Sequence, residues 1–234
     1  MLSIQHNQTL LHQSLKHEYA RQVSGDEEVD VLSDGKRYRL DVLDRARGHV
    51  FEIQLEHFGR QFYQKIADIA KHYFITIIHP VPVVQHVSTR CGSTVETKVV
   101  HKRNDFYSIF DALIRFRIPF DPKRFKFEIL LTEESVVQVH AGFKRGRPLY
   151  CVLSRELMRV VESREIASIA DVLAFLPPGL PPTFTNQDIA NRLDIKGGKT
   201  RRKKMASRIT YSLRLLGLLR ESGKQGRLLL FERA

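Results

Sequence analysis

The sequence predicts a mixed α/β chain: a helix, three strands, a second helix and a fourth strand, then a small C-terminal unit of two helices and a hairpin. Three observations carry this. Apolar residues recur at helical spacing over residues 7–23 and 58–73, and alternate with the period of a strand over 28–32, 36–43 and 49–55. A proline-rich stretch, 176–182, separates these elements from the last part of the chain, because proline resists both helix and sheet. The charge is also uneven. Between Thr185 and Ala234 lie 13 Lys/Arg against 4 Asp/Glu, which places +9 of the formal +12 there.

Taken in order, residues 7–23 form a helix with Leu11, Leu15, Glu18 and Gln22 on one stripe and Tyr19 at its edge, so that a carboxylate sits amid apolar neighbours. Ser24-Gly25-Asp26 ends it. Strands at 28–32 and 36–43 follow, joined by the turn Ser33-Asp34-Gly35, and a third at 49–55 follows the turn 45–48. A helix over 58–73 buries Phe58, Phe62, Ile66, Ile69 and Tyr73. It feeds the apolar strand 74–78, which His79-Pro80 should end. A strand reached through a helix implies a crossover connection and a covered sheet face.

The middle is less legible. Residues 83–103 read equally as strands or as a loop, and 105–116 as a helix. Residues 125–131 and 136–140 read as a strand pair around the turn 132–135. After the basic turn 144–147 come a short strand at 149–153 and a helix near 155–163. The expected division is one domain over 1–175, a linker over 176–184 and a second domain over 185–234.

Composition bounds the function. With 234 residues and 42% hydrophobic content, the chain can bury a core. No run approaches the roughly 18 apolar residues of a membrane span, and the first residues lack the basic and apolar regions of a signal peptide, so the expectation is a cytoplasmic protein without a membrane partner. Cys91 and Cys151 lack metal-ligand spacing and suit a reducing compartment, and the ten histidines show no ligand spacing either.

The chemistry is concentrated in the hairpin of the second and third strands. Alternation puts Arg37, Arg39 and Asp41 on one face of the first and Val50, Glu52 and Gln54 on one face of the other. A symmetric four-residue turn pairs Asp44 with His49, Leu43 with Val50, Val42 with Phe51 and Asp41 with Glu52. Two acids roughly 5 Å apart across a sheet repel, and a divalent cation is a natural compensator. The plainer alternative is a surface salt-bridge ladder of Arg37, Arg39, Asp41 and Glu52.

Over residues 7–80 the order αβββαβ and these acids resemble the PD-(D/E)xK nuclease superfamily, the restriction-endonuclease-like fold. By position, Asp41 matches that family's first acid, Glu52 its second, and Glu18 the carboxylate often supplied by its first helix. The family's lysine would stand at Gln54, which carries neither a charge nor an acidic proton at neutral pH. Lys65, on the following helix, is the candidate to replace it. The resemblance implies phosphodiester hydrolysis with Mg²⁺ or Mn²⁺ held by Asp41, Glu52 and the carbonyl of Ile53. It further implies that Gln54 orients the nucleophile and that Glu18 binds a second ion or accepts a proton.

At the C-terminus, a helix over 186–193 capped by Thr185, a turn through Gly197-Gly198, a helix over 200–216 and strands at 218–221 and 227–231 look like a winged helix, in which the second helix enters a groove of DNA. Lys203, Lys204, Arg208, Lys224 and Arg227 are the expected phosphate contacts, and Ser207, Thr210, Tyr211 and Arg214 the expected base contacts. DNA is the expected partner and RNA the less favoured one, with a second copy or another protein left open. The rival to an enzyme is a nuclease-like scaffold that lost its chemistry at Gln54 and serves as a DNA-binding adaptor.

Overall fold

The computed structural model describes residues 10–92 and 94–234. Residues 7–9, the expected start of the first helix, lie outside them. Helix α1 covers Leu10–Val23 and ends where Ser24 turns left-handed and the Gly25 amide donates to the Ala20 carbonyl at 2.9 Å. A side chain at Gly25 would meet the Leu43 carbonyl at 3.0 Å, so this glycine is what lets α1 lie close to the sheet.

Strands β1 (Asp26–Ser33), β2 (Lys36–Asp44) and β3 (His49–Ile53) form an antiparallel meander, with the expected pairs Val42–Phe51, Leu43–Val50 and Asp44–His49. Helix α2 (Arg60–Ile69) crosses over to β4 (Phe74–Cys91), which runs parallel to β3. Three lysine–carboxylate contacts and one tyrosine hydroxyl hold this end together: Asp68 on α2 accepts from Lys36, Tyr38 and Lys71, and Lys71 also bridges to Asp34. The hydroxyl of Tyr38, followed by Lys36 and Lys71, holds the Asp68 carboxyl well below its ordinary range.

The second half of the sheet departs from expectation. Strand β4 does not stop at His79-Pro80 but continues to Cys91. Its prolines are tolerated because Pro80 and Pro82 stand between the last residue paired to β3, Ile78, and the first paired to β5, Val84, where that edge has no ladder to complete. Strand β5 (Thr94–His101) is antiparallel to the outer half of β4. A 3-10 turn at Phe106–Ser108 and helix α3 (Ile109–Leu113) replace the single helix expected over 105–116.

Residues 132–135 are not a turn: β6 (Phe125–Lys144) passes straight through them, parallel to β4. The reason lies in burial, since Thr132 and Glu134 are fully buried and Glu134 is satisfied by Arg155, Gln85 and Thr132. Nor is there a helix at 155–163; β7 (Arg147–Ile166) is one strand antiparallel to β6. Cross-strand partners outweigh local propensity here, with Arg155 on Glu134 and Arg159 on Glu133. The sheet order is β1-β2-β3-β4-β6-β7, with β5 continuing the β3 position along β4.

Each face of the sheet has a core. Helix α1 covers Val42, Phe51, Ile53, Ile78 and Leu130 with Leu11, Leu15 and Tyr19. The opposite face holds a phenylalanine cluster in which Phe58 touches Phe62, Phe116, Phe127 and His79. Phe58 is fully buried, so Phe58→Ala is expected to lower the unfolding free energy by about 3–5 kcal/mol, read by urea denaturation. A change below about 1 kcal/mol would mean that this cluster is not the core.

After α4 (Ile169–Leu173) the chain forms α5 (Asn186–Arg192), α6 (Lys199–Leu215) and the hairpin β8 (Leu219–Gln225) with β9 (Leu228–Arg233). The Thr185–Asp188 capping box is present. The stretch 176–184 is anchored at both ends rather than free: Leu176 and Phe184 are buried, and Phe184 exchanges backbone hydrogen bonds with Phe231. Ile189, Ile209, Leu213, Leu216 and Phe231 share one apolar cluster with Phe120, Phe125 and Phe127 of the sheet unit. Two ion pairs reinforce the seam, Arg201 with Asp105 and Arg208 with Asp111.

Candidate functional site

The expected acid pair forms. Beyond the Val42–Phe51 pair, the Asp41 amide donates to Glu52 Oε1 at 3.4 Å and the Ile53 amide donates to Asp41 Oδ2 at 2.8 Å. The acids are not an outward-facing surface ladder, however. Glu52 is 2% exposed, and Arg37 and Arg39 pair with Asp30 on β1 instead. Lys65 comes from α2 to meet Glu52 Oε2 at 2.6 Å and also donates to the Arg39 carbonyl at 2.5 Å. The geometry thus brings together Asp41, Glu52 and Lys65.

Gln54 stands apart from them. Its side-chain amide donates to the His57 carbonyl at 3.2 Å, and its own carbonyl accepts from His79 at 2.6 Å. It organises the loop between β3 and α2. Burial holds the His79 imidazole neutral, pushed down to about 4.

Glu18 is also elsewhere, which corrects the reading of α1. It is partly exposed and bonds Arg21 and Gln22 on its own helix. The helix is rolled so that Lys16, Tyr19 and Ala20 are buried beside Leu11 and Leu15, with Lys16 reaching Glu28. The residue that α1 delivers to the acids is His12, whose Nε2 lies 3.3 Å from Asp41 Oδ2 and 3.2 Å from the Ile53 carbonyl. Sequence reasoning passed over it because a lone histidine carries no spacing signal.

Electrostatics at the pair are opposed. Burial pushes the Asp41 carboxyl up, but the hydrogen bond and charge of His12, the charge of Lys65 and the Ile53 amide together hold it below its ordinary value. Burial pushes Glu52 up, and repulsion from Asp41 adds to this while Lys65 opposes it.

Whether a divalent cation fits is decided by the donors. Among the described residues no group of three or more His, Cys, Asp or Glu is placed to hold a metal. What converges is an oxygen set: the Asp41 carboxylate and the Ile53 carbonyl point at one common position, marked by His12 Nε2, with Glu52 one ladder step away. One carboxylate and a carbonyl at that position, with the Glu52 carboxylate held beside them on the Asp41 amide and Lys65, fit an ion such as Mg²⁺ that keeps several waters and takes few protein ligands. Beside the site, a cleft of about 450 Å³ is lined by Leu55, Glu56, His57, His79, Asp111 and Ala112.

On α6, the exposed stripe carries Lys203, Lys204, Ser207 and Tyr211, and the hairpin turn exposes Lys224 and Arg227. Three expected contacts are otherwise engaged. Thr210 is buried and bonds Asn186 and the Ala206 carbonyl, because α5 packs against that side of the helix. Arg208 pairs with Asp111 across the seam, and Arg214 pairs with Glu221 of β8 at 2.7 Å.

These features define the class: a mixed α/β chain with a mostly sheet core, carrying an acid pair on a β-hairpin and a lysine on the helix that follows it, and joined to a basic helical unit. The chain belongs to the family described as a domain of unknown function (DUF8091), whose model matches residues 9–167, from α1 to the end of β7. No curated protein and no solved structure matches the chain. No helix among the described residues is long and apolar enough to cross a membrane.

Proposed function

We propose that the chain is a metal-dependent nuclease of the PD-(D/E)xK type, with a restriction-endonuclease-like core and a C-terminal winged helix that recruits it to DNA. The observation that carries the reading is the Lys65 amine at Glu52, beside Asp41. It supplies from α2 the charge that Gln54 lacks. The order α1-β1-β2-β3-α2-β4, with β3 parallel to β4, supports the same reading. Asp41, Glu52 and the Ile53 carbonyl would hold the ion. When bound, Mg²⁺ or Mn²⁺ supplies an acidified water and charge compensation at the leaving oxygen. Lys65 would oppose the protonation that burial favours at Glu52 and offset charge on the phosphate, and His12 would orient Asp41.

A second reading has its own support. Lys65 already pairs with Glu52, and His12 already contacts Asp41, without an ion, as they would in a DNA-binding adaptor that had lost its chemistry. Incubation with single-stranded, duplex, flapped and junction DNA, and with RNA, in Mg²⁺, Mn²⁺ or EDTA separates the two. Cleavage that EDTA abolishes is the expected result, and tight binding without cleavage of any substrate would establish the adaptor.

Gln54 and Lys65 then give a directional test. Because the Gln54 side chain faces the His57 carbonyl, Gln54→Ala is expected to keep cleavage within about tenfold, whereas Lys65→Met should lose about a hundredfold or more, as for one lost electrostatic contact to developing charge. The reverse order would return the lysine's role to position 54.

A further inference from the structure

Resting on that reading, we propose that the outer half of the sheet is a second nucleic-acid site, one that seats an unpaired strand. The outer parts of β4, β5, β6 and β7 form a trough of about 600 Å³. Register puts its lining on one face: Val87 is paired to both Lys98 and Val136, Gln85 to Val100, Gln138 to Val152, and Val136 to Arg155. The floor is therefore valine, from Val87, Val100, Val136 and Val152, while Lys98 and Lys102 stand at the rim. Among the described residues no carboxylate lines it. Glu134 lies buried beneath, committed to Arg155, so the uncompensated charge is on the two lysines, neither of which has an ion-pair partner among the described residues. Tyr150, 42% exposed, offers a ring at the β7 side.

An apolar floor with cationic margins and an aromatic ring suits exposed bases with their phosphates outside. Duplex DNA presents phosphates and hides base faces, so it would leave the valine floor without a partner. The trough lies further along the same strand, β4, that runs beside the acid-bearing β3. Glu52 is level with Ile77 on β4, and Val87 lies ten residues further along that strand, about 30 Å away at the rise of a strand. Since β3 and β4 are parallel, the end of β3 that bears Glu52 points toward the trough.

The test measures binding of the full chain to labelled single-stranded DNA, single-stranded RNA of the same sequence and hairpin duplex DNA across a salt series. It compares wild type with Lys98→Ala/Lys102→Ala, Tyr150→Ala and Lys203→Ala/Lys204→Ala. The double lysine variant of the trough is expected to lose about 1.4 from the single-strand salt slope, for two phosphates at about 0.7 each, with its duplex slope unchanged. Tyr150→Ala should weaken single-strand binding about fivefold or more. The DNA and RNA arms identify which strand is held. All the substituted side chains are exposed, and thermal unfolding checks that each variant folds. Single-strand affinity and slope equal to wild type in the trough variants would overturn the site, even with the α6 variant defective on duplex. Wild type that binds no nucleic acid would overturn both this site and the functional reading. Single-strand binding that depends on the trough, with no duplex binding at all, would support the site and refute the role of α6.

Discussion

Asp41→Asn and Glu52→Gln are each expected to reduce metal-dependent cleavage by about a thousandfold or more, since the ion's stabilisation of a transferring phosphate amounts to several kcal/mol and each tenfold in rate is about 1.4 kcal/mol. Amide variants are the right choice because Glu52 is buried and Asp41 mostly covered. Replacing Glu52 by Ala would strip Lys65, itself mostly covered, of its carboxylate and confound chemistry with folding. A second readout does not depend on turnover. Mg²⁺ should raise the unfolding temperature of wild type by mass action, and this shift should vanish in both variants. Full cleavage by both variants would remove the site assignment. An unchanged Mg²⁺ shift with lost cleavage would move the ion to other ligands.

The second large effect concerns recruitment. Lys203→Ala/Lys204→Ala is expected to lower duplex affinity for all sequences alike and to cut the salt slope by about two, one for each phosphate contact, with cleavage at saturating protein preserved. A chain cut near Leu176 would not test this. Such a cut would uncover Phe120, Phe125 and Phe127, which share their core with Phe184, Leu213, Leu216 and Phe231. Substitutions on the exposed stripe of α6 leave that core untouched. Duplex affinity and salt slope equal to wild type would place the DNA-binding surface elsewhere. Ser207 and Tyr211 are the remaining exposed candidates on α6 for reading bases, since Thr210 is buried and Arg214 is engaged by Glu221.

What the sequence by itself determined is local. The symmetric turn after Asp44 sets the register of the hairpin, and with it the juxtaposition of Asp41 and Glu52, because a strand's two-residue period leaves no other pairing that keeps Val42, Phe51 and Ile53 on a buried face. The Thr185 capping box, the spacing of Met205, Ile209 and Leu213, and the basic excess after Thr185 were equally legible, since caps, helical period and charge act between near neighbours. Tertiary structure decided the rest. It rolled α1 so that His12 rather than Glu18 meets the acids, a choice between neighbouring stripes made by Tyr19 and Ala20 packing on the sheet. It sent Lys65 to Glu52 through the clamp of Asp68 on Lys36 and Tyr38, contacts some thirty residues apart in sequence. It also made residues 125–166 two long strands instead of short strands and a helix. A period seen in one segment cannot report the partner that satisfies Glu134, and that partner, Arg155, arrives only when β7 pairs with β6.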